Sequence, residues 1–138
     1  MIKSQAPMKQ LFEIGSRKTS TRTVESADTA TFDSGAVHSV YATFALARDA
    51  EWAGRLFVLD MKEADEEGIG TFVTVTHQSP AMVGEQVVFE VVIDELHKNA
   101  INCSYTARVG ERLIAEGRTG QKILKRDKLN SIFERLEK

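Results

Sequence analysis

The feature that most constrains this chain is an abrupt change of hydrophobic period near Gly68. Over residues 43–62 the apolar side chains of Leu46, Ala50, Ala53 and Phe57 recur at spacings of four, three and four, joined by Phe44, Ala47, Trp52, Leu56 and Val58. That spacing predicts one long helix, apolar around much of its circumference and therefore largely buried. Thr43 stands where the helix begins, where its hydroxyl would cap free amides. The acidic residues 63–67 and the glycines Gly68 and Gly70 then end it.

Beyond Gly68 the period is two. Ile69, Thr71, Val73, Val75 and His77 fall on one strand face, and Val83, Glu85, Val87, Phe89, Val91, Ile93 and Glu95 alternate along a second strand, with Pro80 and Gly84 marking the join. Ile101, Cys103, Tyr105, Ala107 and Val109 alternate with Asn102, Ser104, Thr106 and Arg108, between reversals at Lys98-Asn99 and Gly110-Glu111. A last strand is expected over about residues 113–124, then a short amphipathic helix carrying Leu129, Ile132, Phe133 and Leu136. Upstream, residues 19–24 and 29–32 are β-prone, while residues 1–36 as a whole give the weakest pattern. One buried helix followed by four antiparallel strands is an α+β arrangement in which a curved sheet wraps the helix.

At 138 residues the chain is most simply one domain, residues 1–138, able to bury roughly two-thirds of the surface its unfolded form exposes. Lys and Arg total 18 against 20 Asp and Glu, so no global basic field draws it to nucleic acid. The first ten residues lack the apolar stretch of a signal peptide, and the apolar block at residues 56–59 is far too short to span a bilayer. A cytoplasmic protein without membrane attachment is expected. The single cysteine, Cys103, falls in an alternating strand, where packing is its expected role. His38, His77 and His97 lack a spacing that gathers metal ligands on one element, so no metal is expected.

Three polar residues interrupt the apolar pattern. Glu51 shares the helix with Phe44, Ala47 and Val58, and a carboxylate held partly out of water there suits a base or nucleophile. Spacing alone reads more simply as an ion pair with Arg55, one turn on. His77 closes a strand on the side of Val73 and Val75, where it is either a hydrogen-bonded core residue or a proton carrier. Thr43 is a helix cap, a substrate contact, or both.

These residues also carry a resemblance. The run from Val40 through Thr43 and Glu51 to Ala53, followed by Gly70-Thr71 and Val75-Thr76-His77, resembles hotdog-fold acyl-CoA thioesterases, most closely the fluoroacetyl-CoA-specific thioesterase family. The similarity extends from about Val37 to the C-terminus. It implies the hotdog fold, a homodimer or dimer of dimers, and hydrolysis of an acyl-CoA to a carboxylic acid and free CoA, with CoA entering only as part of the substrate and no separate cofactor. The family's catalytic Thr, Glu and His map to Thr43, Glu51 and His77, and its strand glycine maps to Gly70. Glu51 would attack the thioester carbonyl or activate a water, His77 would assist the water step or stabilise the developing charge, and Thr43 would orient the carboxylate or carbonyl. Backbone amides around Gly68, Ile69 and Gly70 are the candidate oxyanion donors, because glycine lets a ligand approach the main chain. In the family, phenylalanines cover the acyl pocket; Ser34 and Val37 stand in their place here, pointing to a short or medium acyl group other than fluoroacetyl. Arg118, Lys122, Lys125 and Arg126 are the candidate partners for CoA phosphates. Two other functions share the fold: a non-catalytic acyl-CoA-binding protein, and an enoyl-CoA hydratase, for which the helix would offer Asp49 but no histidine between it and Glu51.

Overall fold

Residues Lys9, 11–32 and 35–137 are described by a computed structural model, with the backbone alone for residues 31, 32 and 35–37. The elements are β1 (Arg17–Thr23), a single 3-10 turn (Ser26–Asp28), β2 (Thr29–Phe32), β3 (Gly35–Tyr41), α1 (Thr43–Met61), β4 (Glu66–Val73), β5 (Thr76–His77), β6 (Gln86–His97), β7 (Ala100–Val109), β8 (Arg112–Lys125) and α2 (Arg126–Leu136). The main sheet is antiparallel in the order β1-β6-β7-β8-β4, with β5 also on β8, while β2 and β3 form a separate pair.

The periodicity places α1 correctly, and the sheet wraps it. Leu46, Ala50, Ala53, Phe57, Val58 and Met61 are buried against Val87, Phe89, Val91 and Ile93 of β6, Ile101 and Tyr105 of β7, and Ile114 and Ile123 of β8. Burying such side chains contributes roughly 1.5–3 kcal/mol each, which is why one helix suffices to hold five strands. Cys103 belongs to this core, and burial, with Asp94 nearby, pushes its thiol up to about 12. The reversals fall where expected: Lys98 takes a left-handed φ of 57°, and so does Gly110. No helix among the described residues is long and apolar enough to cross a membrane.

The helix is less enclosed than its composition suggests. Phe44, Trp52 and Leu59 are exposed at 52%, 48% and 40%. The strands after α1 are also not neighbours in chain order. β1 occupies one edge of β6, so β4 lies at the far edge of the sheet on β8. The chain between β5 and β6 crosses back past the start of α1, tied there by the Tyr41 amide donating to the Ala81 carbonyl at 2.8 Å. β3, immediately before α1, was not expected from the pattern.

The strand expected to run unbroken to His77 is interrupted twice, and both interruptions shape the site. Gly70 pairs with Gln121 but Phe72 pairs with Gly120, so Thr71 is an extra residue in the ladder, a β-bulge. The bulge reverses which residues face inward. Before it, Glu66, Gly68 and Gly70 point toward α1; after it, Val73, Val75 and His77 do. Ile69, expected to share the face of His77, is instead on the outer face beside Lys122. The second break is at Thr74. Its amide still donates to the Arg118 carbonyl at 2.8 Å, but its carbonyl accepts from the Tyr105 hydroxyl at 2.7 Å and its Oγ1 takes the Arg118 amide at 2.8 Å, so the reciprocal main-chain bond is missing before β5.

Candidate active site

Thr43 does not cap the helix. Ala42 occupies the N-cap position with no side-chain cap, and Thr43 is the first residue with helical geometry. From there its hydroxyl turns across to β5, and Oγ1 stands 3.0 Å from Nδ1 of His77. The bulge at Thr71 makes this contact possible by turning His77 inward. The other ring nitrogen, Nε2, is buried and has no hydrogen-bond partner among the described residues. Burial depresses the His77 pKa below its ordinary value, only partly offset by the Ser79 main chain. The imidazole is therefore neutral at neutral pH, with one nitrogen engaged by Thr43 and one open. Val40, His77, Gln78, Ser79 and Pro80 line an open cleft of about 250 Å³ beside it.

Glu51 lies elsewhere on the same helix. Eight residues beyond Thr43 correspond to about 12 Å of helix rise, so within one chain it does not join the Thr43–His77 pair. It is half-buried and rests against β4 at Gly70. A methyl carbon at position 70 would fall 1.9 Å from Glu51 Oε2, so only glycine leaves room for this carboxylate. Gly68 serves the same close approach one step earlier, where a methyl would fall 2.3 Å from Val58 Cγ1. The two glycines therefore do not form the turn expected of them; both lie inside β4 because the helix packs directly on its backbone. Arg55 does not pair with Glu51 either. Its Nη1 donates to the Gly68 carbonyl at 3.1 Å.

Three of the four candidate phosphate-binding cations are already paired. Arg118 donates to Asp94 at 2.8 Å and lies over the Phe72 ring, Lys125 reaches Asp65 at 3.1 Å, and Arg126 reaches Glu67 at 2.7 Å. Lys122 is exposed, with no ion pair among the described residues. Ser34 lies outside the described residues, as does the side chain of Val37.

Sequence reasoning missed a second polar cluster on the other side of α1. Asp49 is buried and accepts from the Tyr41 hydroxyl at 2.5 Å and from Arg48 Nε at 2.9 Å, while Arg48 and Arg22 both donate to buried Asp28 at 2.9 and 3.1 Å. Burial raises the Asp28 carboxyl, but hydrogen bonds from Arg48, the Glu25 amide and Arg22 together hold it below the ordinary carboxylate range. Burial and the Asp49 bond push the Tyr41 phenol well above its usual value. The only sequence signal was two acids and two arginines between positions 22 and 49, with nothing to say that they meet. Gln121, buried on β8 opposite Gly70, was missed as well.

A single helix wrapped by one antiparallel sheet, with polar residues meeting at the helix start and the edge strand, is the hotdog fold of the thioesterase superfamily. A Thermus thermophilus protein described as a thioesterase superfamily member has this fold with a TM-score of 0.88 at 32% identity, covering 93% of this chain and 95% of its own. The chain belongs to a particular family within that class, the fluoroacetyl-CoA-specific thioesterases, whose family model matches residues 24–127; its members are thioester hydrolases. The fluoroacetyl-CoA thioesterase FlK itself superimposes with a TM-score of 0.80 at 21% identity over 90% of this chain and 96% of its own. A hot-dog-like protein from Thermanaerovibrio acidaminovorans gives 0.81 at 20% identity, over 91% and 94%. No curated protein sequence matches this chain.

Proposed function

We propose that this protein hydrolyses a short or medium acyl-CoA to the carboxylic acid and free CoA, with Thr43, Glu51 and His77 carrying the reaction. The observation behind this reading is that Thr43, at the helix start, spends its hydroxyl on a neutral His77 instead of on the helix. In one route the Glu51 carboxylate adds to the thioester carbonyl, the C–S bond breaks to release CoA thiolate, and water then cleaves the mixed anhydride to acid and free Glu51. In the other, Glu51 takes the proton of a water that attacks the carbonyl directly. His77 takes the proton of the water that cleaves the anhydride in the first route, and in the second, where Glu51 takes that proton, His77 stabilises the charge that develops on the substrate. In a single turnover in 18O-labelled water, label recovered in Glu51 establishes the anhydride route with water attacking the Glu51 carbonyl. Label in the product acid alone means attack at the acyl carbon, which both routes allow, and trapping of the acyl-Glu51 anhydride with hydroxylamine then decides between them. A hydratase using Asp49 has no support, since that carboxylate is closed off by Tyr41 and Arg48.

The separation of Glu51 from the Thr43–His77 pair favours a homodimer. The exposed side chains of Trp52 and Leu59 and the outer edge of β4, which pairs with no strand but β8 among the described residues, supply a surface for a second copy. In such a dimer Glu51 of the partner subunit faces the Thr43–His77 pair. Release of CoA from a panel of short, branched and aryl acyl-CoAs tests the activity, with Glu51→Gln as the control. Mixing the inactive Glu51→Gln and His77→Ala proteins tests the shared site: mixed dimers regain turnover if each site draws on both chains, and stay inactive if each chain carries its own. Saturable binding with no turnover of any panel member would return the protein to the class of acyl-CoA-binding hotdog proteins.

A further inference from the structure

β8 turns Thr119, Gln121 and Ile123 inward beneath α1. Ile123 belongs to the apolar core, but Gln121 has no such explanation. Its side chain is 1% exposed, and neither Nε2 nor Oε1 has a hydrogen-bond partner among the described residues. Leaving a buried amide unpaired costs on the order of 1–3 kcal/mol per group, and a leucine of similar volume would avoid that cost. Such a residue persists when something outside the resting fold needs it.

The surroundings say what that is. Gln121 stands opposite Gly70 in the β4–β8 ladder. The methyl carbon that Gly70 lacks would lie 1.9 Å from Glu51 Oε2 and 3.7 Å from Gln121 Nε2, so carboxylate and amide both border the space that a side chain at position 70 would fill. We propose that Gln121 is a positioning residue for hydrolysis: its Nε2 donates to Glu51, directly or through one water, and fixes which carboxylate oxygen is presented to the acyl carbon or the attacking water. The inference rests on Glu51 carrying the reaction. A neutral amide suits this task better than a cation, because it orients a carboxylate without neutralising it, whereas Arg48 shows on Asp49 what a guanidinium does.

The test is Gln121→Leu, with Gln121→Met as the second variant should leucine not fold. The expected result has opposite signs: kcat falls about tenfold with KM held within about twofold, as for an interaction made at the transition state, while Tm is unchanged or higher. A merely structural glutamine would lower Tm and leave the kcat of the folded fraction intact, and that result overturns the proposal. Gln121→Glu adds a second reading. A carboxylate beside Glu51 moves the acid limb of the kcat/KM profile upward by about one pH unit or more, because two adjacent carboxylates resist ionising together. An unmoved limb in a folded, active Gln121→Glu protein also counts against it. Two results keep this inference apart from the function it rests on. If Glu51→Gln retains turnover, the role of Glu51 fails and this inference with it. If Glu51→Gln keeps only a small residual rate and adding Gln121→Leu lowers that rate a further tenfold, Gln121 does not act through Glu51 and only this inference fails.

Discussion

Asp49 and Glu51 are two residues apart on one helix, and their surroundings are opposite. Asp49 is enclosed by Tyr41 and Arg48, with Arg22 3.5 Å away and the same arginines bridging to Asp28. Glu51 rests on a glycine backbone, beside a glutamine that makes no bond to it, while its neighbour Arg55 turns away to a main-chain carbonyl. A carboxylate that serves folding has its lone pairs filled by the chain itself. One that serves chemistry must keep them available for a substrate or a water, and the fold must tolerate the incomplete contacts. The difference teaches which acid to suspect in a buried site: the unpaired one.

The sharpest break of this comparison is a matched pair of variants. Glu51→Gln is expected to lower kcat by about 10²–10⁴, the range for losing a positioned base or nucleophile, with Tm unchanged. Asp49→Ala is expected to do the reverse, costing about 1–3 kcal/mol by leaving Tyr41 and the arginines short of an acceptor, with kcat of the folded protein kept. Urea unfolding and steady-state turnover on both proteins check it. Equal loss of activity in the two would erase the distinction between the faces.

A smaller effect is expected from Gly70→Ala. The added methyl would meet Glu51 Oε2 at 1.9 Å and its Cδ at 3.0 Å, and the flexible carboxylate end gives way before the backbone does. The protein should fold with little change in Tm while kcat drops by about tenfold, since displacing a reacting group by an ångström costs rate more than stability. A Gly70→Ala protein of full activity would mean that Glu51 need not sit where it does.

Much of this architecture was legible in the residues. The four-three-four spacing placed α1, the alternation from Val87 to Ile93 and from Ile101 to Ala107 placed β6 and β7, and the glycine at 110 placed a reversal. What was hidden depends on neighbours remote in sequence. Gly68 and Gly70 read as punctuation, because nothing local shows that Val58 and Glu51 will press against them. The bulge at Thr71 has no signature of its own, yet it decides that His77 faces inward and Ile69 outward. Thr43 read as a cap because its distance from His77 is set by the whole sheet. Nothing in the pattern singles out Gln121, and only the register puts it opposite Gly70.

The smallest expected effect separates the two faces by pH. On the open side, His77 is neutral and its pKa is depressed by burial, so as pH falls the unfolded chain takes up its proton first. Its contribution to stability is therefore complete above about pH 6.5, the ordinary histidine value, and shrinks below it. On the closed side, Asp28 is held below the ordinary carboxylate range, so its contribution is complete above about pH 4 and is lost only as the pH falls further. Stability followed by urea unfolding from pH 8 to 3 should then show a shallow decline beginning near pH 6.5 and a steeper one below about pH 4. His77→Gln should flatten the first and leave the second, and Arg48→Ala should weaken the second and leave the first. A first decline that survives His77→Gln would place the sensitive group elsewhere and remove the neutral imidazole from the open side of the comparison.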